Sequence, residues 1–328
     1  MDLESRTDED HRAVLAMLPA NLMDFSDFGA AVAQLMSLLA GAPAALPDGV
    51  VVEDHNVDAS DGHQVMVRLY RPAGQRVSRP ALYWIHGGGL VLGNVAMDDA
   101  HCALIAAELN IVVASVEYRL APAFPYPVPL DDCKLGFDWL VEQAERLGVD
   151  PARIAIGGAS AGGGLAASVA VLTRDRDQPM PCFQLLRYPM LDDRNDTMSS
   201  RAVTDLRVWN RSANLLGWGA YLGDKQSTAH VEPYAAAARV TDLSGLPPAI
   251  VTVGDLDLFL DEDIAYAQAL LSCGVPTELH VYPGSFHGSD AMVPHADASQ
   301  RWRRDEMAAL DRALNHLRHP NNRGGLLH

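Results

Sequence analysis

Apolar positions along this chain recur at two spacings, and the two spacings take turns. Near the start the spacing is helical. Val14, Leu15 and Leu18 share one side of His11–Leu18, which Pro19 ends, and Phe28, Val32, Leu35, Met36 and Leu39 do the same over Phe25–Leu39. Gly41–Pro47 is a breaker cluster. Strands are predicted from Val50–Val52 and from His63–Tyr70, where Val65, Val67 and Leu69 alternate until Pro72-Ala73-Gly74 turns the chain. These two runs suit an antiparallel, hairpin-like start.

From residue 81 the pattern changes to short apolar runs separated by helical stretches. Ala81–Ile85, Ile111–Val116, Arg153–Ile156, Phe183–Tyr188, Pro248–Val253 and Thr277–Tyr282 read as strands. Met97–Leu109, Leu130–Leu147, Gly163–Thr173, Asp261–Cys273 and Ser299–Leu317 read as helices. Continuous apolar runs such as Ile111–Val116 suit parallel strands covered on both faces. Ala121–Pro129 holds four prolines and reads as a loop. Between residue 191 and about 230 the alternation stops, and a polar stretch with Trp209, Trp218 and Tyr221 reads as a helical insertion. The whole predicts an α/β architecture: a mostly parallel sheet with helices on both faces, and functional groups at the C-terminal ends of strands.

Composition narrows the function classes. The 328 residues allow one large α/β domain with an insertion, and the net charge of −17 argues against nucleic acid or an anionic membrane as partner. The first ten residues are charged and net acidic, unlike a signal peptide, and no apolar run approaches the roughly 20 residues of a membrane span, so a cytoplasmic protein is expected. Cys102, Cys133, Cys182 and Cys273 are scattered, with no C-x-x-C pair, which speaks against zinc or a disulfide framework. No histidine pair has metal-ligand spacing in a plausible site, and neither metal nor cofactor is expected.

Three strand ends carry reactive groups. Gly158-Ala159-Ser160-Ala161-Gly162 follows the Arg153–Ile156 strand, with the spacing of a sharp strand-to-helix turn that presents a serine. Alone this is a weak signal, equally met by a glycine-rich turn. The Pro248–Val253 strand ends in Gly254-Asp255-Leu256-Asp257, and the Thr277–Tyr282 strand in Pro283-Gly284-Ser285-Phe286-His287-Gly288. A serine hydroxyl needs an imidazole to take its proton, and the imidazole needs a carboxylate to hold its tautomer and stabilise its cation. Ser160, His287 and Asp257 are assigned these roles, Asp255 being the neighbouring alternative with a turn-capping carboxylate's place. A fourth part is His86-Gly87-Gly88-Gly89 after the Ala81–Ile85 strand. Acyl transfer builds charge on a carbonyl oxygen, so the backbone N–H groups of Gly88, Gly89 and Ala161 are expected to form an oxyanion hole, where the lack of side chains permits close approach.

These motifs, together with Tyr118-Arg119-Leu120-Ala121-Pro122 and Asp257-Leu258-Phe259-Leu260-Asp261-Glu262, resemble those of the hormone-sensitive-lipase-like (bacterial family IV) carboxylesterases of the α/β-hydrolase superfamily. Their order of nucleophile, acid and histidine is that of α/β-hydrolases. The resemblance spans about residues 80–290. It implies an eight-stranded, mostly parallel sheet with a helical cap: N-terminal cap helices in 1–45, core in 46–190, cap insertion in 191–230 and core again in 231–328. Within it, the register of Asp261-Glu262 selects Asp257 over Asp255, and His86 with Gly87 supports the oxyanion loop rather than serving as a second base. Leu22, Met23, Phe25, Phe28, Leu90, Trp209, Leu215, Trp218 and Ser289 are then candidates for the substrate pocket.

Three positions depart from the family pattern. Leu258 replaces a proline, Ala123 stands where a glutamate is usual and puts an ion pair from Arg119 in doubt, and Ser289 stands where an aromatic is frequent. The expected activity is hydrolysis of short-chain or aryl carboxylic esters through an acyl-enzyme on Ser160. Amidase, arylformamidase or drug-ester deacetylase activity would use the same groups. A non-catalytic small-molecule receptor, as some relatives of this type are, would be expected to lack the histidine that this chain keeps as His287. The strand at 277–282 is expected to be the sheet edge, through which a homodimer would pair.

Overall fold

In the computed structural model, which describes residues 2–39, 46–74 and 77–316, the apolar runs become the strands of one sheet. The chain opens with helices α1 (Leu3–Arg6), α2 (Glu9–Met17) and α3 (Phe28–Leu39), followed by strands β1 (Val50–Asp58), β2 (Gln64–Pro72) and β3 (Arg79–Ile85). Helix α4 (Asp99–Leu109), β4 (Val112–Glu117), α5 (Val128–Glu142), α6 (Ala144–Leu147), β5 (Val149–Ala159), α7 (Ala161–Asp175) and β6 (Gln184–Arg187) come next. The insertion holds α8 (Met198–Ala202) and α9 (Arg211–Leu222), and β7 (Ala249–Gly254), α10 (Leu260–Ser272), β8 (Thr277–Tyr282), α11 (Ser289–Met292) and α12 (Asp297–Asp311) complete the chain.

The eight strands lie in the order β1-β2-β4-β3-β5-β6-β7-β8. β1 and β2 form an antiparallel hairpin, β2 runs antiparallel to β4, and every later pairing is parallel. Apolar side chains on the two faces form separate clusters. One contains Ile85, Ile156, Leu186 and the α7 residues, and the other contains Trp84, Leu185, Tyr282 and Trp302. β8 lies at one edge of the sheet, where Leu279 and Val281 are exposed.

Several boundaries differ from the sequence pattern for physical reasons. β1 continues through Asp58, well past Val52, because an edge strand in which Val57 alone is buried needs no apolar alternation. α5 starts inside the proline stretch: Pro129 occupies its first turn, where a missing N–H costs nothing. The predicted Leu130–Leu147 helix is broken at Gln143 into α5 and α6, and Gly148 ends the second with φ +69°. Phe25 precedes α3 rather than lying in it. Most of the Gly41–Pro47 breaker run and the end of the Ser299–Leu317 helix lie outside the described residues. Among those described, no helix is long and apolar enough to cross a membrane.

Arg119 corrects an expectation. With Ala123 in the glutamate's usual place its ion pair was in doubt, yet its guanidinium meets the buried Asp132 through two bonds of 2.8 and 2.7 Å and reaches Asp61 at 2.5 Å. Asp132 also accepts the Arg119 N–H at 3.0 Å, so the turn after β4 is held from α5. The partner lies thirteen residues further along the chain, and the segment motif does not contain it.

Candidate active site

β5 ends at Ala159 and α7 begins at Ala161, leaving Ser160 alone at the turn with φ +56° and ψ −122°. A serine there is strained by roughly 1–3 kcal/mol and persists because its surroundings hold it. Its N–H donates to Arg187 O at 2.9 Å, and its carbonyl accepts from Gly164 and Met190 at 3.0 and 2.9 Å. The flanking glycines are required by close approach: a Cβ on Gly162 would fall 2.0 Å from Ile85 O, and one on Gly158 2.4 Å from Gly162 backbone.

The serine Oγ lies 3.0 Å from His287 Nε2, and His287 Nδ1 lies 2.8 Å from Asp257 Oδ2. Asp257 is buried, and its other oxygen accepts the Phe259 N–H at 3.0 Å, which fixes the carboxylate plane. Asp255 points elsewhere: its Oδ1 accepts the Gly284 N–H at 2.6 Å and its Oδ2 meets Arg6 at 3.5 Å, so it clips together the turns after β7 and β8. The structure therefore brings Ser160, His287 and Asp257 into one hydrogen-bonded line and leaves Asp255 out of it.

The loop after β3 packs against this line. Gly88 and Gly89 have φ of +116° and +59°, and Leu90 follows at +70°. A Cβ on Gly88 would fall 2.1 Å from Leu92 O, and one on Gly89 2.0 Å from the Trp209 ring. Among the described residues, no acceptor takes the N–H of Gly88, Gly89 or Ala161. Three unpaired donors beside a buried serine are a place where a negative oxygen would be stabilised. Gly87 lies directly behind, its would-be Cβ 3.4 Å from Ser160 Cβ.

His86 supports the loop from below. Its Nδ1 lies 2.8 Å from Gly87 O, its ring stacks on Tyr118 with centroids 4.3 Å apart, and the Tyr118 hydroxyl donates to His86 O at 3.0 Å. Burial pushes this imidazole down to about 4, so it is neutral near pH 7, and its Nδ1–H is held by Gly87 O. A histidine in the unfolded chain titrates near 6.5, and as pH falls from there toward 4 the unfolded state takes up a proton that the folded state refuses. Stability from this group is complete above about 6.5 and is lost progressively down to about 4, by about 3 kcal/mol in all. Urea melts at pH 7, 5.5 and 4 are expected to show a shallower acid loss in His86→Gln than in the wild type.

The proposed pocket residues divide. Leu22, Met23 and Phe25 are buried, Phe25 meets Trp209 edge-on at 5.9 Å and the half-buried Phe28 at 6.2 Å, and the Met23 N–H donates to Leu206 O at 2.7 Å. The N-terminal segment is thus joined to the insertion above the glycine loop. Leu90 and Trp218 line a space of about 10 Å³ with Ala161, Leu165 and Tyr221, room for one water. Ser289 is buried in the turn after His287, its N–H bonded to Phe286 O. Leu215 does not join them: α9 buries Ala213, Asn214, Gly217, Trp218 and Tyr221, and this helical spacing leaves Leu215 more than a third exposed.

Sequence reasoning passed over Tyr188, which contacts the imidazole at 4.6 Å, and Phe259, which does so at 5.2 Å. Their signal was adjacency to a strand end and to Asp257. Among the described residues no group of three His, Cys, Asp or Glu side chains is placed to hold a metal ion.

The sequence profile of the alpha/beta hydrolase fold family matches residues 82–290, the span that holds Ser160, Asp257, His287 and the glycine loop. The chain belongs to the hormone-sensitive-lipase-like α/β-hydrolases. It is 36% identical to carboxylesterase NlhH of Mycobacterium tuberculosis over 277 residues, covering 83% of this chain and 85% of that one. It is 32% identical to an ethyl acetate hydrolase of Pseudomonas putida, covering 84% of this chain and 86% of that enzyme. Among solved structures, a bacterial heroin esterase superposes with a TM-score of 0.90 at 40% identity, covering 94% of this chain and 98% of its own. Like these relatives, this α/β-hydrolase is a carboxylic-ester hydrolase.

Proposed function

We propose that this hydrolase cleaves short-chain or aryl carboxylic esters through an acyl-enzyme on Ser160. The observation that carries the reading is the line Ser160 Oγ, His287, Asp257, at 3.0 and 2.8 Å. His287 takes the serine proton as Oγ adds to the ester carbonyl. Asp257 stabilises the imidazolium that forms, and the N–H groups of Gly88, Gly89 and Ala161 hold the oxyanion. The imidazolium then protonates the departing alcohol. Water enters and adds to the acyl carbonyl as its proton passes to His287, and the imidazolium returns that proton to Ser160 Oγ as the acid leaves. His86 and Gly87 keep the loop in place and take no part in proton transfer.

The N-terminal helices and the insertion form a cap over this machinery. The space beside Ala161 and Leu90 is small and lined by Trp218 and Tyr221, which supports a small acyl group on that side. A panel of p-nitrophenyl esters tests this: kcat/KM is expected to be highest for acetate to butyrate and to fall by about tenfold or more at octanoate. One surplus methylene in a closed pocket discriminates by roughly tenfold or more. Flat activity across the series would refute the closed acyl side.

A second reading on the same groups, deacetylation of drug esters, is favoured over amidase or arylformamidase activity by one finding, the similarity to a bacterial heroin esterase. Acetyl esters of phenols compared with the matching acetanilides separate these readings, the esters being turned over and the anilides not.

A further inference from the structure

Tyr188 directly follows β6 and has φ +33°, a value that a tyrosine holds only under constraint. Its N–H donates to Thr252 O at 2.6 Å, its ring meets Trp302 edge-on at 5.6 Å, and its hydroxyl lies against the Asp290 carboxyl. The ring also meets the His287 imidazole at 4.6 Å and 62°. Phe259, from the Asp257 loop, contacts the same imidazole at 5.2 Å and 83°. Two rings from two strand ends therefore set the plane of His287.

Behind Tyr188 lies a charged network that the proposed chemistry does not use. Arg187 bonds Glu306 of α12 through Nε at 3.0 Å and approaches Asp290 at 3.5 Å. Glu306 accepts from Thr252 Oγ1 at 2.8 Å and from Trp302 Nε1 at 2.9 Å. Arg187, Asp290 and Glu306 each have side chains at least nine-tenths buried. Burying three charges costs several kcal/mol per ion before pairing, and a stack of apolar side chains would satisfy the sheet as well. Asp290 lies in α11, three residues after His287, and one of its buried oxygens has no hydrogen-bond partner.

We propose that Tyr188 and Asp290 are positioning residues for His287, anchored by Arg187 and Glu306. This rests on the reading of His287 as the general base. The Tyr188 ring fixes the tilt at which Nε2 faces Ser160. Asp290 holds the Tyr188 hydroxyl and, through Arg187, ties the histidine loop to β6.

The test uses Tyr188→Leu, Tyr188→Phe and Asp290→Asn in the full chain. Misplacing a reacting group by about 1 Å can cost on the order of a hundredfold, so removing the ring is expected to lower kcat by about tenfold or more with KM within about twofold. Tyr188→Phe, which keeps the ring, is expected to recover most of that loss. Asp290→Asn, which loosens the anchor of Tyr188, is expected to lower kcat by about threefold or more with KM within about twofold. A purely structural role would lower thermal stability without separating kcat from KM. An unchanged kcat in Tyr188→Leu or in Asp290→Asn, or a loss confined to KM, each overturns the proposal. Should Tyr188→Leu fail to fold, the kinetics of Asp290→Asn decide. Ser160→Ala distinguishes the two levels: activity surviving there refutes the triad reading itself, whereas its loss beside intact Tyr188 and Asp290 variants refutes only the positioning role.

Discussion

Ser160→Ala is expected to lower kcat on p-nitrophenyl acetate by about 10⁶-fold, close to 8 kcal/mol of transition-state stabilisation. Among the described residues, no other hydroxyl bonds His287 Nε2. Ser160 is the residue at the strained turn, and its Oγ is the atom within 3.0 Å of His287 Nε2. The loss is expected in kcat, with substrate binding retained, since the pocket walls are contributed by other side chains. A fluorophosphonate probe gives a second readout. It is expected to leave one adduct, on the peptide carrying Ser160, in the wild type and none in the alanine variant. Residual turnover above a hundredth of wild type would sink the assignment.

The second large effect separates the two aspartates after β7. Asp257→Asn is expected to cost about 10⁴-fold in kcat, because an amide in that place stabilises the wrong imidazole tautomer and leaves the imidazolium without its counter-charge. Asp255→Asn is expected to keep kcat within about tenfold and to cost about 1 kcal/mol of stability, the worth of weakening one charge-assisted bond to the Gly284 N–H. Steady-state kinetics and urea melts on the two variants check both halves. Equal losses of kcat would show that the carboxylates share the role.

The α/β layout was legible because the central strands are buried on both faces and so are apolar without interruption, as in Ala81–Ile85 and Ile111–Val116. The site was legible because acyl transfer demands residue types that few other tasks demand in that order: a serine between glycines, a carboxylate after a later strand, a histidine after the last. Features set by three-dimensional neighbours were not legible. The pairing of Arg119 with Asp132 and Asp61 joins residues from α5 and from the turn between β1 and β2, and nothing in the segment around Arg119 signals it. Leu215 was misplaced by one helical step, since apolar character alone does not say which side of α9 faces inward. Tyr188 was read only as the end of a strand, because its φ and its contact with His287 exist only once β6 lies beside β5 and β7.

The insertion begins and ends under restraint. Glu262 Oε1 accepts the N–H groups of Leu191 and Asp192 at 2.8 and 3.2 Å, and Asp261 accepts that of Ser199 at 2.7 Å. At the far end the buried Asp193 takes Arg239 at 2.6 and 2.9 Å and the Ser227 N–H at 2.7 Å. The two ends are thus stitched together at the base of the insertion. Lengthening a closed loop costs little, about 0.6 kcal/mol per doubling. The segment between Asp193 and Ser227 can therefore grow or shrink cheaply between its contacts, but Trp209, packed on Gly89 and Phe25, transmits any change at that point straight to the glycine loop beside Ser160.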